Sequence, residues 1–158
     1  MYLDAVRALL LDIEHGSGKG SRKWAISNDD KHLTYMERVL SEPLLKGGLY
    51  YGEHRNTIEY RTATLSTVVA ALALHPPEDG KPHILIDGLK DAERQGLMVD
   101  FRRCGVHPDK VIETDDKKDP LARLADALAG FARDGIQWHK AMKPLLDRSL
   151  KNGLIRKV

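Results

Sequence analysis

The length, composition and charge of this chain exclude several classes of protein. Its 158 residues suit one domain that buries an apolar core without disulfides or structural metals. The net charge of +2 is too small to indicate nucleic-acid binding by itself, because 25 basic residues are nearly matched by 23 acidic ones. A single cysteine, Cys104, excludes an internal disulfide framework and predicts a reducing, cytoplasmic location. No apolar stretch approaches the roughly 20 residues that a membrane span needs, so no membrane partner is expected.

Helical periodicity dominates the first part of the chain. Apolar residues repeat at helical spacing over residues 1–14 and again over 30–40, so both segments are predicted to be helices. Residues 15–21 are rich in glycine but follow no strand, which favours a plain linker over a phosphate-binding loop. Residues 22–26 are predicted to form a short strand.

From residue 48 onward, predicted strands and helices alternate. An Asn56/Glu59 capping box opens one helix, which stops before Pro76, and Asp119-Pro120 opens another. The alternation predicts an α/β fold with a mostly parallel sheet. The predicted strands are 48–54, 81–87 and 110–114, and the later helices are 89–104, 120–135 and 138–150.

A single domain over residues 1–158 is the predicted organisation. It consists of a helical lead-in over 1–46, an α/β core over 47–135, and a C-terminal helix with a basic tail over 136–158.

Asp87 ends the apolar strand and is the first candidate site residue. Parallel strands bind ligands at their carboxyl ends, and Gly88 would let the backbone turn and leave the Asp87 carboxylate open to a ligand. The alternative is that Asp87 caps the helix that follows. The acidic stretch 115–119 comes after the next strand, where it could supply a further ligand or form a solvated loop.

Asp126 is the second candidate, because it lies beside the apolar stripe of its helix among small residues. Ala122, Ala129 and Gly130 would permit close approach of a strand or an ion to its carboxylate. The alternative is an ion pair with Arg123 or Arg133. The cost of burying an unpaired carboxylate requires either a divalent cation or a basic neighbour for both aspartates.

Basic side chains are concentrated near the C-terminus. Lys140, Lys143 and Lys151 are candidate contacts for nucleic-acid phosphates, and the alternative, which the charge pattern favours, is a solvated helical face. The seven histidines form no pair at helical spacing, which argues against zinc.

Three strings resemble the domain-of-unknown-function 3800 family, which is ribonuclease H-like. They are Arg22-Lys23-Trp24, the strand that ends in Asp87, and above all residues 119–130, and the resemblance covers about residues 20–135. It implies a three-layer domain whose sheet carries an acidic cluster that binds Mg²⁺ or Mn²⁺, with Asp87 and Asp126 as metal ligands and catalytic residues. The implied function is metal-dependent phosphodiester hydrolysis, which requires the two carboxylates to converge, roughly 4 to 8 Å apart.

The chain departs from the family pattern at its start. Family members open with a strand bearing an aspartate-glutamate-serine motif and a second strand, and this chain begins downstream of both. We therefore expect a fold truncated at the N-terminus, an incomplete acidic cluster, and a homo-oligomer if the protein starts at Met1. The alternative function is a non-catalytic interaction or regulatory protein on a degenerate ribonuclease H-like fold.

Overall fold

The structure is a computed structural model that describes residues 2–26 and 28–158. It combines six helices with short strands over these residues, which confirms the α/β class. No helix in these two ranges is long and apolar enough to cross a membrane. The helices are α1 Tyr2–Ser17, α2 Asp29–Ser41, α3 Tyr60–Leu74, α4 Asp91–Arg103, α5 Pro120–Ile136 and α6 Met142–Lys151, and the strands are β1 Tyr50–Tyr51, β2 His83–Asp87, β3 Lys110–Thr114 and β4 Arg156–Lys157.

The chain folds as two compact units. The first consists of residues 2–51 and 116–156, and therefore contains both the helical lead-in and the C-terminal helix. Its core is built by α1, α2, α5 and α6, whose apolar stripes face one another. Tyr35, Met36 and Phe131 are completely buried there. Asp119 caps α5 by accepting a hydrogen bond from the backbone N–H of Leu121, as predicted.

The second unit, residues 52–115 with 157–158, is a strand–helix–strand motif with one further helix. Strands β2 and β3 pair in parallel, with His83 opposite Lys110 and Asp87 opposite Thr114. Helix α4 makes the connection between them, as a parallel pair requires. The apolar side chains of β2, β3 and α4 form the core of this unit, against which α3 packs.

Three local predictions were wrong. The segment predicted as a strand over 22–26 contains a 3₁₀ turn at Trp24–Ile26, because Trp24 turns inward and bonds to α5. The strand predicted over 48–54 is only Tyr50–Tyr51, and it pairs with β4 in a two-stranded sheet. The Asn56/Glu59 capping box is absent, because α3 begins at Tyr60 and Glu59 makes no side-chain cap bond.

Candidate metal centre

Three carboxylates meet at the carboxyl edge of the β2–β3 pair. The register sets Asp87 opposite Thr114, so that Asp115, the next residue, emerges at the same edge. Asp116 follows through the peptide bond. One oxygen of each of Asp87, Asp115 and Asp116 lies within 4.8 Å of the others. We call these three residues the acidic group.

The position of Asp87 follows from the turn that ends β2. Gly88 has φ +69°, in the left-handed region that favours glycine, and lets the chain leave the strand at once. Helix α4 begins three residues later, with Lys90 as its N-cap and Glu93 accepting a hydrogen bond from the Lys90 backbone N–H. Asp87 therefore does not cap α4, and the half-buried carboxylate stays at the sheet edge.

Asp116 is the most buried member of the acidic group, with only 6% of the residue exposed. The ammonium of Lys23 lies 2.7 Å from its carboxylate, and the Lys23 side chain is 55% exposed. This pair partly compensates the charge of Asp116, which burial would otherwise penalise by several kcal/mol on the order given by transfer data.

A buried ion pair fixes the backbone at Asp116. The guanidinium of Arg123 on α5 donates two hydrogen bonds to the Glu14 carboxylate on α1, at 2.7 and 2.9 Å, and both side chains are almost fully buried. A third N–H of Arg123 donates to the backbone carbonyl of Asp116 at 3.0 Å. Hydrogen bonding to Glu14 raises the pKa of Arg123. Arg123 therefore holds the backbone of Asp116 in place.

The glycine-rich segment before Lys23 is anchored by a buried lysine. Lys19 is 1% exposed, and its ammonium donates to the carbonyl of Arg22 at 2.7 Å and lies 4.8 Å from the centre of the Tyr35 ring. Burial lowers the pKa of Lys19 and raises that of Tyr35 above its usual range. The prediction of a plain linker missed this anchor.

Asp126 has a different partner from those expected. It accepts a hydrogen bond from the backbone N–H of Trp24 at 2.9 Å. The two arginines considered as its partners bind elsewhere, since Arg123 pairs with Glu14 and Arg133 pairs with Asp134. The ion-pair alternative is therefore wrong. Asp126 does not belong to the acidic group, and its convergence with Asp87 stays a prediction.

Trp24 is clamped on several sides in the first unit. Its indole N–H donates to Asp134 at 2.8 Å, and its ring is stacked on His32 with centroids 3.7 Å apart. A Cβ at Gly130 would collide with the indole, so the absence of a side chain there makes room for the ring. Gly130 thus accommodates Trp24, which is a packing role that the sequence alone did not distinguish from close approach of an ion.

The acidic group fits a hard divalent cation. Carboxylate oxygens are the ligands that Mg²⁺ and Mn²⁺ prefer, and Mg²⁺ commonly retains several waters beside a few carboxylates. Three carboxylates and the Lys23 ammonium have a combined formal charge of −2 (−3 and +1), which one divalent cation would neutralise.

The basic residues predicted as nucleic-acid contacts lie in or near α6. Lys140 and Lys151 are exposed. Lys143 pairs with Asp147 at 2.9 Å and also lies over the ring of Trp138, with its ammonium 4.3 Å from the ring centre. The solvated-face explanation covers Lys151, but Trp138 beside Lys143 is a feature that the charge pattern did not predict.

Comparison with known proteins adds no relative. No protein-family model, no curated protein and no solved structure matches this chain. Function must therefore be argued from the acidic group and its surroundings.

Proposed function

We propose that this protein is a Mg²⁺- or Mn²⁺-dependent hydrolase of phosphodiester bonds in nucleic acids. The observation that carries the proposal is the convergence of Asp87, Asp115 and Asp116 within 4.8 Å at the carboxyl edge of a parallel strand pair. This edge is where α/β sheets commonly bind ligands. Carboxylates this close to one another repel, and a bound cation would relieve that repulsion.

Each member of the acidic group would contribute one carboxylate ligand to the cation. Asp87 and Asp115 offer carboxylate oxygens from the two strand ends, and Asp116 offers a third from a position fixed by Arg123. A divalent cation held by such carboxylates would polarise a phosphoryl oxygen and make a water molecule easier to deprotonate.

Lys23 would neutralise Asp116 while no cation is bound. Once a cation is bound, its ammonium would be available to a phosphate oxygen, because the Lys23 side chain is more than half exposed.

The resemblance to the domain-of-unknown-function 3800 family supports the same chemistry. Its implied ribonuclease H-like fold is part of the proposal, with β2, α4 and β3 as one strand–helix–strand segment of that sheet. In this assignment Asp87 keeps the role that the resemblance implies. Asp115 and Asp116 would add two further carboxylate ligands beside it.

Metal dependence tests the proposal directly. We expect single-stranded or duplex DNA or RNA to be cleaved in Mn²⁺ or Mg²⁺, and cleavage to stop when a chelator is added in excess. Labelled oligonucleotides of each kind, incubated with the full chain and resolved on denaturing gels, provide the measurement. Cleavage that continues at full rate in the chelator would contradict the proposal. Absence of cleavage from all four substrates in both metals would favour the non-catalytic interaction protein.

A further inference from the structure

Trp138 is displayed on the surface in an unusual way. It is 77% exposed, the highest value among the large apolar residues of the described part of the chain. Its φ is +66°, and every other described residue with a positive φ is a glycine. An L-residue in this conformation costs roughly 1–2 kcal/mol. Because the indole is exposed, its burial offsets little of this conformational cost. Uncompensated backbone strain of this kind is typical of functional positions.

The turn that carries Trp138 is firmly built. The backbone N–H of Trp138 donates to the carbonyl of Gly135, and that of His139 donates to the carbonyl of Asp134. These bonds close the end of α5 in the way that a glycine usually does. These bonds fix the direction in which the Trp138 side chain leaves the backbone, and the side chain is 77% exposed.

A lysine ammonium lies over the ring of Trp138. The Lys143 ammonium lies 4.3 Å from the ring centre, within the range of a cation–π interaction, while it also pairs with Asp147. Lys140 is exposed two residues beyond Trp138. Over residues 133–151 there are five lysines and arginines against two aspartates. Gln137 and Lys140, on either side of the ring along the chain, are polar and exposed, and Ile136, two residues before the ring, is 37% exposed.

We propose that Trp138, Lys140 and Lys143 form a binding surface for single-stranded nucleic acid, in which a base stacks on the indole and the two ammonium groups contact phosphates. An exposed aromatic ring among lysines has the composition of single-strand binding sites, because stacking uses the π-face of any base and lysines bind the backbone. A duplex would not offer its base faces to the ring. The inference rests on the proposed function for its class of ligand, and it specifies that the polymer binds in single-stranded form.

Tryptophan fluorescence tests this surface, since the chain has only two tryptophans and Trp24 is 2% exposed. The full chain is titrated in EDTA with an oligo(dT) of about ten nucleotides, a length within known single-strand site sizes. We expect quenching of the Trp138 emission. Trp138→Leu should weaken binding by about tenfold or more, and Trp138→Phe should retain most of the affinity. Both affinities are measured by the fluorescence anisotropy of a labelled oligonucleotide. Lys140→Gln should reduce the salt dependence of binding.

Tyr60→Leu is the matched control, because Tyr60 is 71% exposed and belongs to the second unit. Equal affinity of the Trp138→Leu variant and the native chain would overturn the inference, as would the absence of binding at low salt. Loss of self-association in Trp138→Leu, detected by light scattering without any change in oligonucleotide affinity, would also overturn it in favour of a contact between copies.

Because EDTA prevents metal-dependent cleavage, the binding test is independent of the proposed hydrolysis. Binding in EDTA without cleavage in Mn²⁺ would support the inference about this surface and contradict the proposed hydrolysis. Conversely, metal-dependent cleavage by a Trp138→Leu variant that binds the oligonucleotide as tightly as the native chain would support the proposed hydrolysis and overturn the inference about this surface.

Discussion

Asp87→Asn is expected to lower the rate of metal-dependent nucleic-acid cleavage by about 100-fold. The substitution keeps the size of the side chain and removes one negative charge from the acidic group, whose oxygens lie within 4.8 Å of one another. Asp115→Asn should have a comparable effect, because Asp115 emerges at the same sheet edge. Initial cleavage rates at saturating Mn²⁺ provide the measurement.

Two further aspartates serve as references for that experiment. Asp12→Asn removes an exposed carboxylate from α1 and should leave the rate unchanged. Asp126→Asn should retain most of the activity, because the amide oxygen can still accept the hydrogen bond from the Trp24 backbone N–H. A rate for Asp87→Asn within a few-fold of the native rate would show that the acidic group is not the reaction centre.

Glu14→Ala is expected to lower the free energy of unfolding by about 3–5 kcal/mol. Glu14 and Arg123 are 3% and 4% exposed at their side chains, so the substitution leaves a buried guanidinium without its carboxylate. The double variant Glu14→Leu/Arg123→Met should recover much of the loss, since it removes the buried guanidinium together with its carboxylate. Urea denaturation followed by circular dichroism gives the free energies.

An exposed ion pair is the control for Glu14. Asp4 on α1 lies 3.7 Å from Arg7 and has a side chain 79% exposed, so Asp4→Ala should change stability by less than about 1 kcal/mol. A similar small change for Glu14→Ala would mean that the Glu14–Arg123 pair is not the buried clamp described here. The double variant should also weaken cation binding, because it loses the Arg123 hydrogen bond to the backbone of Asp116.

The elements whose signals are local could be predicted from the sequence. Asp119-Pro120 marks the start of α5 through a cap and a proline that act within one turn. The apolar run before Asp87 likewise defines β2. Trp24 could not be placed in this way, because its hydrogen-bond partners on α5 are 102 and 110 residues away in the chain. A turn held by such distant contacts has no local pattern.

The candidate site was only partly predictable, for the same physical reason. Asp87 was found because it ends an apolar strand. Asp115 and Asp116 also follow a strand, and that signal was present, but the sequence favoured a solvated loop for this stretch. The burial of Asp116 depends on tertiary contacts, as does that of Lys19, which lies in a glycine-rich stretch typical of a linker. Burial of a charged side chain is decided by partners such as Lys23 and Arg123, which local sequence does not identify.

Binding of Mn²⁺ to the full chain, measured by isothermal titration calorimetry, tests the acidic group most directly. Our account predicts binding that Asp87→Asn and Asp115→Asn each weaken by about tenfold or more, and that Asp126→Asn leaves unchanged. Affinity that is unaffected by Asp87→Asn and Asp115→Asn, or lost only in Asp126→Asn, would contradict it.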